Sequence, residues 1–262
     1  MGRIAQRQSG KLTQLAAVVI ARNEQDNIRR CLSSLEFCGE LVVVDAFSSD
    51  ATVKIASEFT ERIYERQWQG YGSQKNYGIS KTTLPWVLSI DADEEVSEEL
   101  KVELYQLMNG GVPSDQAYSI PRKTLHSGKW IRHGGWYPNR LVRLFQKDSG
   151  RWTEDEVHES WETEGSVGAL QQHLNHYSFL DISDQVERNN DYSSLGARRL
   201  ARSGQKFSVG SIILKPFSKF VETFLIKQGF RDGFLGFVIS VSAAYSVFLK
   251  WAKLRELEKE KA

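Results

Sequence analysis

The chain has 262 residues, 40% of them hydrophobic and 26% charged, with a formal net charge of +1. This composition excludes disordered and fibrous classes, and the length suits one domain of roughly 200 residues plus an appendage. The charge is uneven: residues 196–231 hold eight Lys or Arg against Glu222 alone, while the remainder holds 26 basic and 32 acidic residues, so a +7 segment hangs on a −6 body and calls for an anionic partner.

Residues 1–13 are predicted to be a flexible arm. The apolar run that follows, 15–21, is seven residues long and ends in Arg-Asn-Glu, which is not the pattern of a secretory signal. "LAAVVIA" (15–21) is continuous and β-branched, as expected of a strand buried on both faces. A helix is predicted over 23–35, a second buried strand over 40–45, and a helix over 48–59 opened by Ser and Asp. A weaker strand at 61–65, a helix at 73–82, a strong strand "WVLSID" (86–91) and an amphipathic helix at 97–108 complete the first part. Strands and helices alternating at this spacing predict a mostly parallel sheet with crossover helices. Residues 116–177 shorten into mixed strands and aromatic-rich loops, and three helices are expected at 184–203, 208–228 and 230–258. Cys31 and Cys38 make neither a disulfide framework nor a metal-ligand spacing, so both thiols are expected to be packed in a reducing compartment. No glycine-rich phosphate loop of the dinucleotide or P-loop kind occurs.

In open α/β sheets, ligands sit beyond the carboxyl ends of the strands. Here the first strong strand runs into Arg22-Asn23-Glu24, the second into Asp45, and the third into Asp91-Ala92-Asp93. Extended backbone would point Asp91 and Asp93 to one side, giving a hard oxygen site for magnesium or manganese completed by diphosphate oxygens. The plainer alternatives are a solvated acidic turn for Asp93-Glu94-Glu95, a helix cap for Asp50 and a first-turn residue for Glu24.

"VVIARNEQDNIRRCLSSL", "LVVVDAFSSDAT", "SQKNYGI" and "WVLSIDADEEV" resemble, in order and spacing, the donor half of family 2 glycosyltransferases. "GGWYPNRLVRLF", "TEDEVHES" and "LNHYSFLDISDQVERNNDYSSLGA" resemble the branch of lipopolysaccharide-core β-1,4-glucosyltransferases, and the likeness covers roughly 15–255. The resemblance implies a GT-A fold (α/β, Rossmann-like) over 14–180, with a donor half at 14–110 and an acceptor half at 111–180. A helical, membrane-associating extension would follow at 181–262. It implies a donor site at Ala21, Arg22, Asn23, Glu24, Asp45, Asp50, Lys75, Asn76 and Asp91, and a divalent cation, manganese or magnesium, at Asp91 and Asp93. His158 and His176 are candidates for a further metal or diphosphate contact, with His176 the one set beside the metal. Asp155 is implied as the catalytic base of an inverting transfer, a role a positioned carboxylate can fill for a sugar hydroxyl. Glu154, His158, Trp136 and Tyr137 are candidates for acceptor or sugar contacts, although lone aromatics are often core. Trp152 precedes the acidic group, as an aromatic lining a carbohydrate site would.

Residues 233–249 carry no charge, but seventeen residues reach only about 26 Å against a hydrocarbon core of about 30 Å. The preceding "ILKPFSKFVETFLIKQGFR" mixes Lys with apolar residues, as an interfacial helix does; packing on the protein itself is the alternative. The expected function is transfer of a sugar, glucose from UDP-glucose, to a lipid-linked core oligosaccharide such as the lipopolysaccharide inner core. The expected place is the cytoplasmic face of the inner membrane, peripherally bound to an anionic surface, with no nucleic-acid partner and a homodimer left open. The alternatives are a polyprenyl-phosphate glycosyltransferase, a sugar-1-phosphate nucleotidyltransferase and a non-catalytic membrane scaffold.

Overall fold

The computed structural model describes residues 10–154 and 159–259. Its first strands and helices run β1 (Leu12–Ala21), α1 (Ile28–Ser34), β2 (Cys38–Asp45), α2 (Thr52–Ala56), β3 (Ile63–Glu65), α3 (Tyr71–Ser80) and β4 (Trp86–Asp91). There follow β5 (Glu94–Val96), α4 (Glu98–Asn109), β6 (Ala117–His126), β7 (Lys129–Trp130) and β8 (Asn139–Gln146). The last strands are β9 (Gly150–Trp152), β10 (Trp161–Thr163), β11 (Val167–Ala169) and β12 (Leu174–Phe179). The main sheet has the order β3-β2-β1-β4-β8-β6-β12-β5, with β7 and β11 also on β6, while β9 and β10 form a separate hairpin. β1, β2, β3 and β4 are parallel, and β8 joins β4 antiparallel.

The apolar run of β1 faces two cores because strand side chains alternate. Leu15, Ala17 and Val19 join Ile28, Cys31 and Leu32 of α1 and Leu100 and Leu104 of α4. Val18 and Ile20 join Val42, Val44, Ile79, Phe145, Trp152 and Trp161 on the other side. Both cysteines are free and buried, as expected of packed thiols. Gly78 lets α3 approach β1, since a Cβ there would lie 2.4 Å from Val18 Cγ1. Ser97 caps α4 by accepting the Leu100 amide at 3.2 Å. The strand begins earlier than the predicted arm allows: Leu12 and Thr13 belong to β1, and the Leu12 amide bonds Phe37 O at 2.8 Å.

The helix predicted at 23–35 shrinks, mainly at its N-terminal end, to Ile28–Ser34, and that predicted at 48–59 shrinks at both ends to Thr52–Ala56. Polar side chains there bond to loop backbone in place of a helical ladder.

The chain forms two compact units: the chain up to Arg122 with Arg140–Tyr177, and Lys123–Asn139 with the chain from Ser178 onward. Lys123–Asn139 thus groups with the C-terminal helices, not with the acceptor half. The second unit contains α5 (Ile182–Arg202), α6 (Val209–Val221), a π-helical turn (Glu222–Ile226), a 3-10 turn (Gly229–Asp232) and α7 (Gly233–Lys259). Within it, buried Asp232 accepts the Arg132 and His133 amides at 3.1 and 2.8 Å and meets His133 Nδ1 at 3.0 Å. Gly236 permits the turn to close, because a Cβ there would lie 1.8 Å from Gly229 O. Gly229–Lys259 is the one helical stretch among the described residues long and apolar enough to cross a membrane by length and composition.

Candidate active site

Parallel register sets three strand ends level: Ala21 pairs with Asp45, and Ile20 with Asp91. The loops beyond β1 and β2 are then stitched by side chains. Buried Asp45 accepts the Ser48 amide at 2.7 Å and its hydroxyl at 2.5 Å. Asn23, left-handed at φ 55°, donates its amide to Ser48 Oγ at 2.8 Å and accepts the Ser49 amide at 2.8 Å. Asp50 takes the Gln25 amide at 3.1 Å and the Thr52 amide at 3.0 Å. Its carboxyl lies below the usual range because these bonds, and that of the Thr52 hydroxyl, outweigh its desolvation. Asp50 is therefore a loop staple and not the helix cap of the plainer alternative, since the N-cap of α2 is Ala51, with no side-chain cap bond. The Glu24 amide reaches Thr52 Oγ1 at 2.7 Å. Phe47 stands between Asp45 and Ser48 at φ 56°, with a ring 59% exposed. A bulky side chain in the left-handed region carries strain on the order of 1 kcal/mol, held here by the bonds around it.

At the end of β4, acids and bases interlock. Asp91 Oδ2 accepts Arg143 Nη2 of β8 at 2.5 Å, and Lys75 Nζ of α3 lies 3.0 Å from Oδ1. The same Arg143 nitrogen reaches Glu94 Oε1 at 2.9 Å, and Arg122 Nη1 reaches that oxygen at 3.2 Å. Lys75 also meets Glu159 at 2.8 Å. Lys75, Arg143 and Glu94 are almost fully buried. Burial alone would raise the Asp91 carboxyl, but Arg143 and Lys75 hold it far below the usual carboxylate range. Burial likewise opposes the Arg143 charge, and Asp91 and Glu94 more than restore it. Neither Arg143 Nη1 nor Nε donates a hydrogen bond among the described residues.

The chain turns immediately after Asp91, so the extended path expected through Asp93 does not persist. Asp93 instead meets His176 of β12, Oδ2 to Nε2, at 3.1 Å. Desolvation raises the Asp93 carboxyl, the His176 interaction more than reverses this, and the Asp91 charge pushes the other way. The two aspartates therefore sit within electrostatic reach but serve different partners. A divalent ion bound at about 2.1 Å by two groups at right angles would set them about 3 Å apart, which fits Asp93 and His176. Asp91, engaged by two cations, is the poorer ligand. Among the described residues no group of three His, Cys, Asp or Glu gathers as a metal cage, so such an ion would need further oxygens from its ligand and water, the usual habit of magnesium.

One face of α3 holds the hairpin β9–β10. Asn76 gives Nδ2 to Trp152 O and takes the Trp152 amide on Oδ1, both at 3.0 Å. Gly72 lies under Thr153, where a Cβ would come within 1.8 Å of Thr153 O. With Lys75 on Glu159, these contacts moor both flanks of residues 155–158. Asp155 and His158 lie outside the described residues; Glu154, beside them, is exposed. Asn76 is spent on this clamp, so its expected donor contact is not what its amide does here. Trp152 is core, 4% exposed, in an aromatic cluster with Phe145 and Trp161. Trp136 and Tyr137 belong to the second unit, where the Trp136 ring packs 5.2 Å from Phe179. Ala21 is buried and Arg22 exposed.

The sequence reasoning missed Arg143 and Phe47, and its solvated acidic turn is overturned at Glu94, which is 1% exposed. Arg143 did carry a signal: it shares its strand face with Phe145, a core residue, and a cation there must find a buried acid. A groove of about 970 Å³, lined in part by Pro85, Trp86 and Gly150, lies at the opposite end of β4. Replacing Arg143 with Met should cost about 3–5 kcal/mol in urea unfolding by leaving acids unpaired, and adding Glu94→Met should recover part of it. Wild-type stability in the single variant would contradict the cluster's role.

A family model for glycosyl transferase family 2 matches residues 16–162. The chain is 32% identical over 257 residues to an uncharacterised glycosyltransferase of Rickettsia typhi, covering 94% of this chain and 88% of that one. It is 29% identical over 257 residues to the lipopolysaccharide core biosynthesis glycosyltransferase LpsC of Rhizobium meliloti, covering 95% and 94%. Among solved structures, S. aureus TarS (residues 1–349) aligns at 14% identity and TM-score 0.46, covering 95% of this chain and 92% of that one. Glucosyl-3-phosphoglycerate synthase of Mycobacterium tuberculosis, solved with Mn2+, UDP and glucosyl-3-phosphoglycerate, aligns at 19% identity and TM-score 0.35, covering 48% and 51%. Those scores are too low to carry a correspondence of residues. The family match and the relatives' identity are sufficient: this chain, with its mixed parallel and antiparallel sheet flanked by helices, is a GT-A-fold member of glycosyltransferase family 2.

Proposed function

We propose that the protein transfers a sugar from a nucleoside diphosphate sugar, with inversion, to a lipid-linked core oligosaccharide of the lipopolysaccharide type at the cytoplasmic face of a membrane. UDP-glucose is the donor first in line. The observation that carries the reading is the pairing of Asp93 with His176 at 3.1 Å beside an Asp91 already neutralised by Lys75 and Arg143. Two neighbouring candidate ligands and a cationic backing suit the binding of a divalent ion and a diphosphate. The relative named for lipopolysaccharide core biosynthesis, alike over 95% of this chain, supports the acceptor class.

In this reading Asp93 and His176 would hold a manganese or magnesium ion, which would supply Lewis-acid stabilisation of negative charge on the departing diphosphate. Asp91 Oδ1 accepts a donor hydroxyl. Lys75 keeps Asp91 ionised and, with Arg143, offsets charge at the leaving group. Asp45 and the loop at Asn23–Glu24 bound the nucleoside pocket, and the exposed Phe47 ring gives the base a surface to stack on. Asp155 takes the proton from the acceptor hydroxyl as the new bond forms opposite the leaving group.

Purified protein with manganese should release UDP from a UDP-sugar only when acceptor is supplied, and Asp155→Asn should slow this by about 10²–10⁴-fold. Retention of most of the rate would favour a polyprenyl phosphate acceptor, whose anionic oxygen needs less help. Diphosphate as product would instead mean a nucleotidyltransferase, and no product with any nucleotide sugar would leave only the scaffold reading. Phe47→Ala should weaken UDP binding by about 1–3 kcal/mol in calorimetry while leaving the fold intact; unchanged affinity would remove the stacking role.

A further inference from the structure

The C-terminal helices leave a continuous apolar surface open to water. On α7, Phe234, Phe237, Val241, Tyr245 and Phe248 recur every three or four residues along one face and are 42–74% exposed. On α6, Ile213, Leu214 and Phe217 are 60–68% exposed, and Leu225 and Ile226 beyond it are 54% and 71% exposed. This is not a loosely folded hairpin: Phe224 packs 5.3 Å from Phe220 and 5.8 Å from Phe237, joining α6 to α7.

The surrounding charge has one sign. Residues 192–254 contain ten Lys or Arg against two acids, Glu222 and Asp232. Asp232 is buried against His133, and Glu222 is bridged by Lys219 and Lys227 at 3.0 and 2.5 Å. Arg198, Arg199, Arg202 and Lys206 are exposed. A two-fold pairing of this surface with a second copy would bring two basic rims together. An anionic lipid surface complements both the apolar face and its rim.

The opposite face of α7 is polar and occupied. Ser242 Oγ accepts Asn189 Nδ2 of α5 at 2.5 Å, and Lys253 Nζ donates to Asn190 O and Ser193 Oγ at 2.7 and 2.8 Å. Beside those contacts α5 exposes Glu187 and Asp191. Crossing the bilayer would require α7 to leave α5, or α5 to bring its charges into hydrocarbon, and both are costly.

We infer that the α6–α7 face is a monotopic membrane anchor, seated in one leaflet of an anionic bilayer with the basic rim at the headgroups and no segment crossing. The inference deepens the proposed use of a lipid-linked acceptor and rests on it for its biological setting, while its test needs no sugar chemistry. The full chain with a cleavable C-terminal tag is floated on sealed vesicles of phosphatidylcholine, with or without phosphatidylglycerol. It should float with the anionic vesicles, with the tag cut by protease added outside. Phe217→Asp with Phe234→Asp should weaken flotation at least about tenfold, and Arg202→Glu with Lys206→Glu should weaken it on anionic vesicles. An unchanged urea-unfolding transition will show that the variants are folded. Failure of the wild type to float, protection of the tag inside the vesicles, or a lipid-free dimer that the same Phe substitutions dissociate would each overturn the inference. Flotation with no sugar transfer would uphold the anchor and contradict the proposed reaction alone.

Discussion

The site depends on one interaction: the ion pairing of Asp91, at the end of buried strand β4, with Arg143 and Lys75. A carboxylate there would otherwise be an uncompensated charge at the edge of the core, a loss of several kcal/mol. Arg143 comes from the antiparallel neighbour β8, Lys75 from the helix over the sheet, and Glu94 and Glu159 complete the balance. Four stretches of chain, those of Asp91–Glu94, Lys75, Arg143 and Glu159, are thereby fixed together. Such clusters seldom add net stability over apolar packing, so a catalytic reason for this one is the more economical account. It leaves a rigid, charge-balanced floor with Asp93 and His176 beside it.

Location follows from the same economy. The parallel register of β1 with β2 and β4 brings Asp45, Ala21 and Asp91 level, so the loops after β1 and β2 and the charge cluster lie at the same end of the sheet. α3 then serves twice, with Lys75 on Asp91 and with Gly72 and Asn76 on the hairpin that precedes the candidate base. A helix with little amphipathic pattern has one face given over to positioning.

Much of this was legible in the sequence. The β-branched runs at 15–21, 40–45 and 86–91 could only be buried strands, and their polar endings marked the site. Periodicity also found the C-terminal helices to within a few residues. It misjudged the starts of α1 and α2, where Asn23, Ser48 and Asp50 bond loop backbone across about 25 residues of chain, a cooperation that local propensity cannot express. It treated Asp91 and Asp93 as one extended pair because the turn at Ala92 has neither Gly nor Pro to announce it. It assigned Trp152 to sugar and Asn76 to the donor, since the hairpin that consumes both is a tertiary contact. Arg143 went unnoticed because its partners lie about 50 residues away.

The central claim is the proposed division of labour between the two aspartates, Asp91 held by protein cations and Asp93, paired with His176, as the proposed metal ligand. Anomalous diffraction at the manganese edge, from crystals grown with UDP and manganese, tests it directly. The account predicts a peak about 2.1 Å from both an Asp93 oxygen and His176 Nε2, with Lys75 and Arg143 still on Asp91. A peak on Asp91 with Lys75 displaced, or no peak near Asp93 while UDP is bound, would contradict it.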